Sequence, residues 1–260
     1  AGQLGQLRKL NYRERALEVL RLYADDLAFS DLRRIVDDTY TAAVFRSDDI
    51  TPLREVSPGV HILGLSNGPT LAFKDVAMQL LARLMDHALA ARNERTTVVV
   101  ATSGDTGGAA VEAFRGRDRA DLFVLYPKGR VSDVQRLMMT TAPDDNVHAL
   151  EIEGTFDDCQ AIVKGLFNHH AFRDRVSLSG VNSINWARIV AQVVYYFTAA
   201  ATLGAPNRKV AFTVPTGNFG NIYAAHAARR MGLPVASLVV ASNRNDILWR
   251  TIAKGDMSLA

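Results

Sequence analysis

From Thr96 onward the sequence alternates between short apolar runs and amphipathic segments. The apolar runs predict strands, and the segments between them carry apolar residues at helical spacing and predict helices. The strands are predicted at 97–102, 122–126 and 147–152, and the helices at 107–115, 132–141 and 156–168. Parallel strands need a long crossover connection, which a helix supplies. The alternation therefore predicts an α/β fold with a parallel sheet.

Further segments extend this pattern on both sides. Upstream, the sequence predicts helices at 12–23 and 31–40, a strand at 61–65 and a helix at 73–92. Downstream, a long apolar helix ends near Leu203, and a strand at 209–214, a helix at 220–231 and a strand at 235–241 follow. Three helix starts carry capping signals: Ser30 is the predicted N-cap of the second helix, Ser132 with Gln135 has the spacing of a capping box, and Thr155 is the predicted cap of the helix at 156–168.

A single lysine, Lys74, lies just before the apolar stripe of a predicted helix. The stretch Gly68–Asp75 places it in the first turn, near the positive end of the helix dipole. An amine held there, partly removed from water, could act as a neutral nucleophile toward a carbonyl group. The alternative is an ordinary solvated lysine, and the stretch alone does not decide between the two.

Two glycine-containing loops each join a predicted strand to a helix. The segment Thr216–Asn221, with Gly217 and Gly220, would direct backbone N–H groups and a helix N-terminus to one point, which suits a phosphate. A nucleotide-binding turn or a plain tight connection would have the same pattern. The segment Ser103–Gly108 repeats the arrangement and suits a carboxylate, provided that neighbouring donors compensate the charge of Asp105. Asp105 could instead serve only as a helix cap.

A third polar cluster precedes the long apolar helix. Asn182, Ser183, Asn185 and Arg188 would present two amides, a hydroxyl and a guanidinium at one helix entrance. This combination suits a dianionic phosphate. Helix capping would explain Ser183 or Asn185, but it would not explain Arg188 beside them.

The AFKD, SGDTG, NSIN and GNFGN segments together resemble those of the threonine synthases, in the same order, between Ile50 and Met257. Threonine synthases are pyridoxal-phosphate enzymes of the tryptophan-synthase-β type. The resemblance implies that Lys74 is the catalytic residue and binds the cofactor, pyridoxal 5'-phosphate. The other cofactor-binding residues that it implies are Gly217, Asn218, Phe219, Gly220 and Asn221. The substrate-binding residues that it implies are Ser103, Asp105, Thr106, Asn182, Ser183, Asn185 and Arg188.

The resemblance also implies a fold of the type II pyridoxal-phosphate kind, with two parallel-sheet α/β domains and the cofactor between them. The expected division is the first part of the large domain at 1–84, a small α/β domain at 85–175 and a return to the large domain at 176–260. The family continues with a further stretch that carries the partner of the pyridine nitrogen. We therefore expect the large domain to lack its C-terminal part and the chain to be truncated at both ends.

The reaction implied by the resemblance is the conversion of O-phospho-L-homoserine and water to L-threonine and phosphate. A pyridoxal-phosphate-dependent threonine or serine dehydratase is the alternative enzyme, although a dehydratase needs no second anion site of the kind that Ser183 and Arg188 offer. A non-catalytic, threonine-synthase-like binding protein is the alternative from another class.

Composition bears on the remaining classes of function. The 260 residues carry a net charge of +3 from scattered Lys and Arg, and without a basic run we expect no nucleic-acid partner. The sequence shows no apolar stretch of membrane-spanning length, so we expect no membrane association. Cys159 is the single cysteine, which excludes an internal disulfide and favours a cytoplasmic location. No metal site is predicted, because His169 and His170 are adjacent and no cluster of ligands accompanies them. We expect a small-molecule substrate and a monomer or homodimer.

Overall fold

The structure is a computed structural model that describes residues 2–183 and 185–258. The chain divides into two compact units. The first unit consists of Ala1–Leu32 together with Trp186–Ala260, and the second unit consists of Arg33–Asn185. Within residues 2–183 and 185–258, no helix is both long and apolar enough to cross a membrane.

The second unit is built around a four-stranded sheet, whose strands in spatial order are β5 (Val147–Ile152), β4 (Ala120–Pro127), β3 (Thr96–Ala101) and β6 (Leu178–Ser179). All neighbouring strands of this sheet are parallel, and helices connect them, as the alternating pattern predicts. Helix α3 (Phe29–Thr39) crosses the boundary between the units at 32/33. The elements that follow it in chain order are α4 (Ala42–Phe45), β1 (Leu53–Ser57), β2 (Val60–Leu63), α5 (Lys74–Arg92), β3 (Thr96–Ala101), α6 (Asp105–Phe114), β4 (Ala120–Pro127), α7 (Asp133–Thr140), β5 (Val147–Ile152), α8 (Phe156–Asn168), α9 (His170–Arg175) and β6 (Leu178–Ser179).

Both central strands of this sheet are largely buried, and apolar side chains fill the space beneath the helices. Val99 of β3, Leu125 of β4 and Cys159 of α8 form one buried cluster. Cys159 is fully buried there, and burial raises the pKa of its thiol, so the residue serves packing. The α5 helix packs against α6, which places the first turns of these two helices in the same unit.

The first unit is organised by α10 (Trp186–Thr202), in which every residue from Arg188 to Ala201 is buried. The other elements of this unit in chain order are α1 (Gly2–Leu7), α2 (Tyr12–Leu20), β7 (Val210–Pro215), α11 (Gly220–Arg230), β8 (Val235–Ala241) and α12 (Ile247–Lys254). Helices α2 and α11 pack on α10, and α11 also contacts β7 and β8, which form a parallel pair.

The structure corrects one local prediction and adds one strand that was not predicted. Ser30 is not an N-cap, because α3 begins one residue earlier at Phe29 and Ser30 lies inside its first turn. The added strand is β1, which pairs antiparallel with β2 across the turn at Pro58 and Gly59. Four of the five residues of β1 are exposed, so the strand lacks the apolar alternation by which strands are recognised.

The compact units cut the chain at 32/33 and 185/186, whereas the predicted domain boundaries lie at 84/85 and 175/176. Residues 74–84 belong to the second unit because α5 packs against α6. Contact density within one chain is a different criterion from a family's domain division, so the predicted boundaries remain a prediction.

Candidate active site

Lys74 is the first residue of α5, and a short buried network holds the turn that precedes it. The Thr70 backbone N–H donates to Asp75 Oδ2 at 2.9 Å, and the Thr70 hydroxyl donates to Asp75 Oδ1 at 2.7 Å. Asp75 is fully buried, and burial raises the pKa of its carboxyl above the usual range although the Thr70 hydrogen bonds act in the opposite direction. These bonds fix the residues on both sides of Lys74.

The same turn contains a strained residue and a close approach. Leu71 adopts a φ of 59°, a left-handed conformation that costs a non-glycine residue about 1–2 kcal/mol. Gly68 lies so close to Asp75 that an added Cβ would be 2.4 Å from the Asp75 Cβ. Such strain persists only where the surrounding structure over-determines the conformation, which the Thr70–Asp75 hydrogen bonds do here.

The amine of Lys74 forms an ion pair inside the second unit. Its Nζ lies 3.1 Å from Asp105 Oδ2, and only 12% of the Lys74 side chain is exposed. The amine also lies 4.9 Å from the centroid of the Phe73 ring. The interpretation of Lys74 as an ordinary solvated lysine is therefore wrong.

Asp105 is the first residue of α6 and accepts hydrogen bonds on both carboxylate oxygens. Gln135 Nε2 donates to Oδ1 at 2.6 Å, and Lys74 occupies Oδ2. Burial alone would raise the pKa of Asp105, but the positive charge of Lys74 and the hydrogen bonds from Gln135 and Lys74 lower it overall. Carboxylate binding at this loop requires neighbouring donors that compensate the Asp105 charge, and Lys74 and Gln135 are such donors.

The alternative role of Asp105 as a helix cap is wrong. Gly104 occupies the N-cap position of α6, with a φ of 149°. The Thr102 hydroxyl oxygen accepts the backbone N–H groups of Gly104 and Gly107 at 3.0 and 2.9 Å, and so satisfies the start of the helix in place of Asp105. The Asp105 carboxylate is left for Lys74 and Gln135.

Gln135 is a site residue that the sequence pattern does not indicate. The pattern predicts it as the reciprocal partner in a capping box with Ser132, and the first half of that box is present, since Ser132 Oγ accepts from the Gln135 backbone N–H at 3.4 Å. The Gln135 side chain instead reaches Asp105, and its Oε1 accepts the Ser132 hydroxyl at 2.9 Å. An added Cβ at Gly104 would lie 2.5 Å from the Gln135 side chain, so this contact needs a glycine at 104.

A cavity of about 310 Å³ lies beside this pair. Its walls combine two helix starts with small, hydroxyl and apolar groups. The lining residues are Thr70, Leu71, Gly104, Asp105, Gly108, Ser132, Val134, Gln135 and Met138. Ser103 is exposed and Thr106 is partly buried in the same loop and first turn of α6, which is where a substrate carboxylate was predicted to bind.

The predicted phosphate loop lies in the first unit, between β7 and α11. Gly217, Asn218 and Phe219 are exposed, and Gly220 begins the helix. An added Cβ at Gly217 would meet no atom of the described residues within 4 Å, so the chain leaves room for a ligand beside this backbone. The exposed backbone, the open position at Gly217 and the helix N-terminus fit the phosphate of a cofactor.

Asn221 follows at the second position of α11 and is buried. Its Oδ1 accepts hydrogen bonds from the hydroxyls of Tyr195 and Tyr196 in α10. This side-chain oxygen is therefore committed to the protein. The predicted contact between Asn221 and the cofactor remains a prediction.

The four residues predicted to bind a substrate phosphate fall in different units. Asn182, Ser183 and Asn185 end the second unit, whereas Arg188 belongs to the first, and Ile184 of the same segment lies outside the described residues. Arg188 is only 1% exposed, and burial lowers the pKa of its guanidinium to about 10, against the effect of Tyr195. Their joint use as one phosphate site remains a prediction.

Comparison with known proteins decides the family. The family model described as "Pyridoxal-phosphate dependent enzyme" matches residues 46–258. The chain belongs to this family. It is 54% identical over 242 residues to a threonine synthase of Pseudomonas aeruginosa, covering 93% of this chain and 51% of that protein. It is 48% identical to a threonine synthase of Methylobacillus glycogenes, covering 95% of this chain and 54% of that protein.

Among the solved structures, a PLP-bound threonine synthase from Brucella melitensis matches the whole length of the present chain, with 57% identity and a TM-score of 0.93. The match covers 56% of the Brucella chain. The predicted resemblance to threonine synthases and the predicted type II α/β fold are thereby confirmed, and the predicted cofactor agrees with the description of the family. The chain spans about half the length of the relatives it matches.

Proposed function

We propose that this chain is part of a threonine synthase, which converts O-phospho-L-homoserine and water to L-threonine and phosphate with pyridoxal 5'-phosphate as cofactor. The observation that carries the proposal is the Lys74 amine, almost removed from solvent at the start of α5 and paired with Asp105 at 3.1 Å. The 54% identity to the threonine synthase of Pseudomonas aeruginosa supports the choice of substrate.

The cofactor, when bound, supplies an electron sink for the negative charge that develops on the substrate. In our proposal, Lys74 would hold the cofactor through its carbonyl carbon, with loss of water, until the substrate amine displaces it. The freed Lys74 amine would then accept and return protons at Cα and at the neighbouring carbon of the substrate. The loop at 217–221 holds the cofactor phosphate. Ser103, Asp105 and Thr106 face the substrate carboxylate end, and Asn182, Ser183, Asn185 and Arg188 hold the phosphate that leaves.

The first test is covalent labelling. The protein is incubated with pyridoxal phosphate, reduced with borohydride, and the labelled peptide is identified by mass spectrometry. We expect the label on Lys74, loss of the label in Lys74→Ala, and full labelling in Lys164→Ala, which removes an exposed lysine from α8 of the same unit. A label that is absent from Lys74 in the unmodified protein would remove every cofactor-based function proposed for the chain.

The second test separates the synthase from a dehydratase in the full-length protein. Phosphate release from O-phospho-L-homoserine and ammonia release from threonine or serine are measured side by side. For Arg188→Lys we expect kcat/KM for phosphohomoserine to fall at least tenfold, with a much smaller change in the affinity for pyridoxal phosphate. Since Arg188 is buried, circular dichroism first establishes that the variant is folded. Unchanged turnover of phosphohomoserine would contradict the assignment of Arg188.

A further inference from the structure

Two adjacent tyrosines of α10 converge on one side-chain oxygen of α11. The hydroxyl of Tyr195 lies 2.5 Å from Asn221 Oδ1, closer than the 3.1 Å to its other acceptor, Gln192 Oε1. The hydroxyl of Tyr196 donates to Asn221 Oδ1 at 2.8 Å. Neighbouring residues on a helix normally point in different directions. Here the two rings lie 4.9 Å apart, tilted by 48°, so that both hydroxyls reach the start of α11.

The three side chains are buried, so the loss of one of their hydrogen bonds would leave a polar atom without a partner away from water. Tyr195 is 0% exposed, Tyr196 is 3% exposed and Asn221 is 7% exposed. Burial raises the pKa of Tyr196, so its phenol stays protonated and remains a donor. Asn221 and the two phenols thus form one buried hydrogen-bonded group, and removing a hydroxyl from it would weaken the hold on the Asn221 side chain.

Asn221 lies next to the part of the first unit that is open to a ligand. Gly217, Asn218 and Phe219 are exposed immediately before α11, whereas Gly220 and Asn221 are buried. A loop that is already ordered loses less conformational entropy when it binds a phosphate than a loop that must first become ordered. Fixing Asn221 fixes the first turn of α11, whose N–H groups would face that phosphate.

We propose that Tyr195 and Tyr196 are positioning residues for the cofactor-phosphate loop: they hold Asn221, and through it the segment 217–221, in the conformation that binds the phosphate. This inference rests on the proposed function, since it assigns the loop to the phosphate of pyridoxal phosphate. The tyrosines touch neither the cofactor nor the substrate in this assignment. They act through Asn221.

The test compares two ligands that differ only in the group at issue. Pyridoxal phosphate and pyridoxal carry the same carbonyl, but pyridoxal lacks the phosphate. Binding of each is titrated by absorbance and by the borohydride-trapped fraction, in the unmodified protein and in Tyr195→Phe and Tyr196→Phe. Tyr223→Phe is the matched control, because Tyr223 is an exposed tyrosine on α11 itself. Urea denaturation of each variant measures the stability of the fold separately.

We expect Tyr195→Phe and Tyr196→Phe each to weaken pyridoxal phosphate binding by about twofold to tenfold, the range of one net hydrogen bond. Pyridoxal binding should stay unchanged, and Tyr223→Phe should match the unmodified protein for both ligands. In an Asn221→Ala background, the tyrosine changes should have no additional effect on pyridoxal phosphate binding, because the hydroxyls act through Asn221.

The outcomes distinguish the inference from the function on which it rests. If the unmodified protein prefers pyridoxal phosphate to pyridoxal and the tyrosine variants retain that preference, the positioning role is overturned while the proposed function stands. Equal weakening of both ligands would mean that the tyrosines serve only the stability of the fold, and would also overturn it. If the unmodified protein shows no preference for the phosphate, the assignment of the loop fails, and the inference fails with it.

Discussion

Replacing Gly68 with alanine should disrupt the turn that delivers Lys74. The added Cβ would lie 2.4 Å from the Asp75 Cβ, 2.5 Å from its Oδ2 and 2.8 Å from its Cγ. Asp75 is 0% exposed and is tied to Thr70 by two hydrogen bonds, so it cannot move aside without breaking them. Gly68 is required here by close approach of a side chain.

Two costs add up to the expected loss of stability. Forcing one extra carbon into a packed site costs about 1–3 kcal/mol. Weakening hydrogen bonds to a buried carboxylate costs about 1.5–3 kcal/mol. We therefore expect Gly68→Ala to lower the free energy of unfolding by about 2.5–6 kcal/mol. The trapped fraction of Lys74 after incubation with pyridoxal phosphate should fall as well, because Lys74 and Asp75 are neighbours.

The assay is urea denaturation followed by circular dichroism, since both tryptophans, Trp186 and Trp249, lie in the first unit and would not report on this turn. The matched control is Gly165→Ala, in the exposed part of α8, where an added Cβ would meet no atom of the described residues within 4 Å. There alanine should stabilise the helix by about 0.5–1 kcal/mol. A Gly68→Ala protein as stable as Gly165→Ala would refute the close-approach argument.

Three further predictions concern charge and loop order. The pKa of Asp105 is lowered in the folded protein, so its carboxylate stabilises the fold above its unfolded pKa, and this stabilisation is lost as the pH falls through the folded pKa. When urea denaturation is measured between pH 7 and about pH 3, the Asp105→Asn protein should therefore lose less stability than the unmodified protein. The pKa of Asp75 is raised in the folded protein, so its contribution to the stability of the fold is present in acid and is lost as the pH rises. The Asp75→Asn protein should therefore gain stability relative to the unmodified protein between about pH 4 and pH 7, and a parallel pH dependence of the two proteins would contradict this. Asn146 Nδ2 lies 2.8 Å from the carbonyl oxygens of both Phe114 and Ala120, at the two ends of the loop between α6 and β4. In urea denaturation, Asn146→Ala should therefore lower the free energy of unfolding by about 2–4 kcal/mol. A loss of less than about 0.5 kcal/mol would show that this loop does not depend on the Asn146 hydrogen bonds.

The strands and helices between β3 and α8 could be predicted within two residues at each boundary. Their apolar periodicity is a property of each segment's own sequence and does not depend on distant contacts. The β5 strand and the α8 helix agree with their predicted bounds, and Thr155 forms a capping box with Asp158 at the start of α8. β1 could not be predicted, since its side chains are mostly exposed and its stability comes from pairing with β2.

The candidate site could be predicted only in part, for a related reason. Lys74 and Asp105 were found because each follows a recognisable strand-to-helix turn. Gln135 was assigned to a local capping box, whereas its side chain bonds to Asp105, thirty residues away in the chain. A local pattern cannot distinguish these two uses of one glutamine. The available signal was the glycine at 104, whose missing Cβ leaves the space that Gln135 fills.

The two helix starts that form the site in the second unit use one physical device. At α5, Asp75 accepts from Thr70 and presses against Gly68; at α6, Gln135 bonds to Asp105 and presses against Gly104. In each case a polar side chain from within or beside the helix rests on a glycine of the preceding turn. The turn and the first helical residue are then fixed together, and that first residue is Lys74 in one helix and Asp105 in the other. The 3.1 Å ion pair between Lys74 and Asp105 thus depends on the conformation of both turns. A substitution at Gly68 or Gly104 should therefore shift the Lys74 amine relative to Asp105.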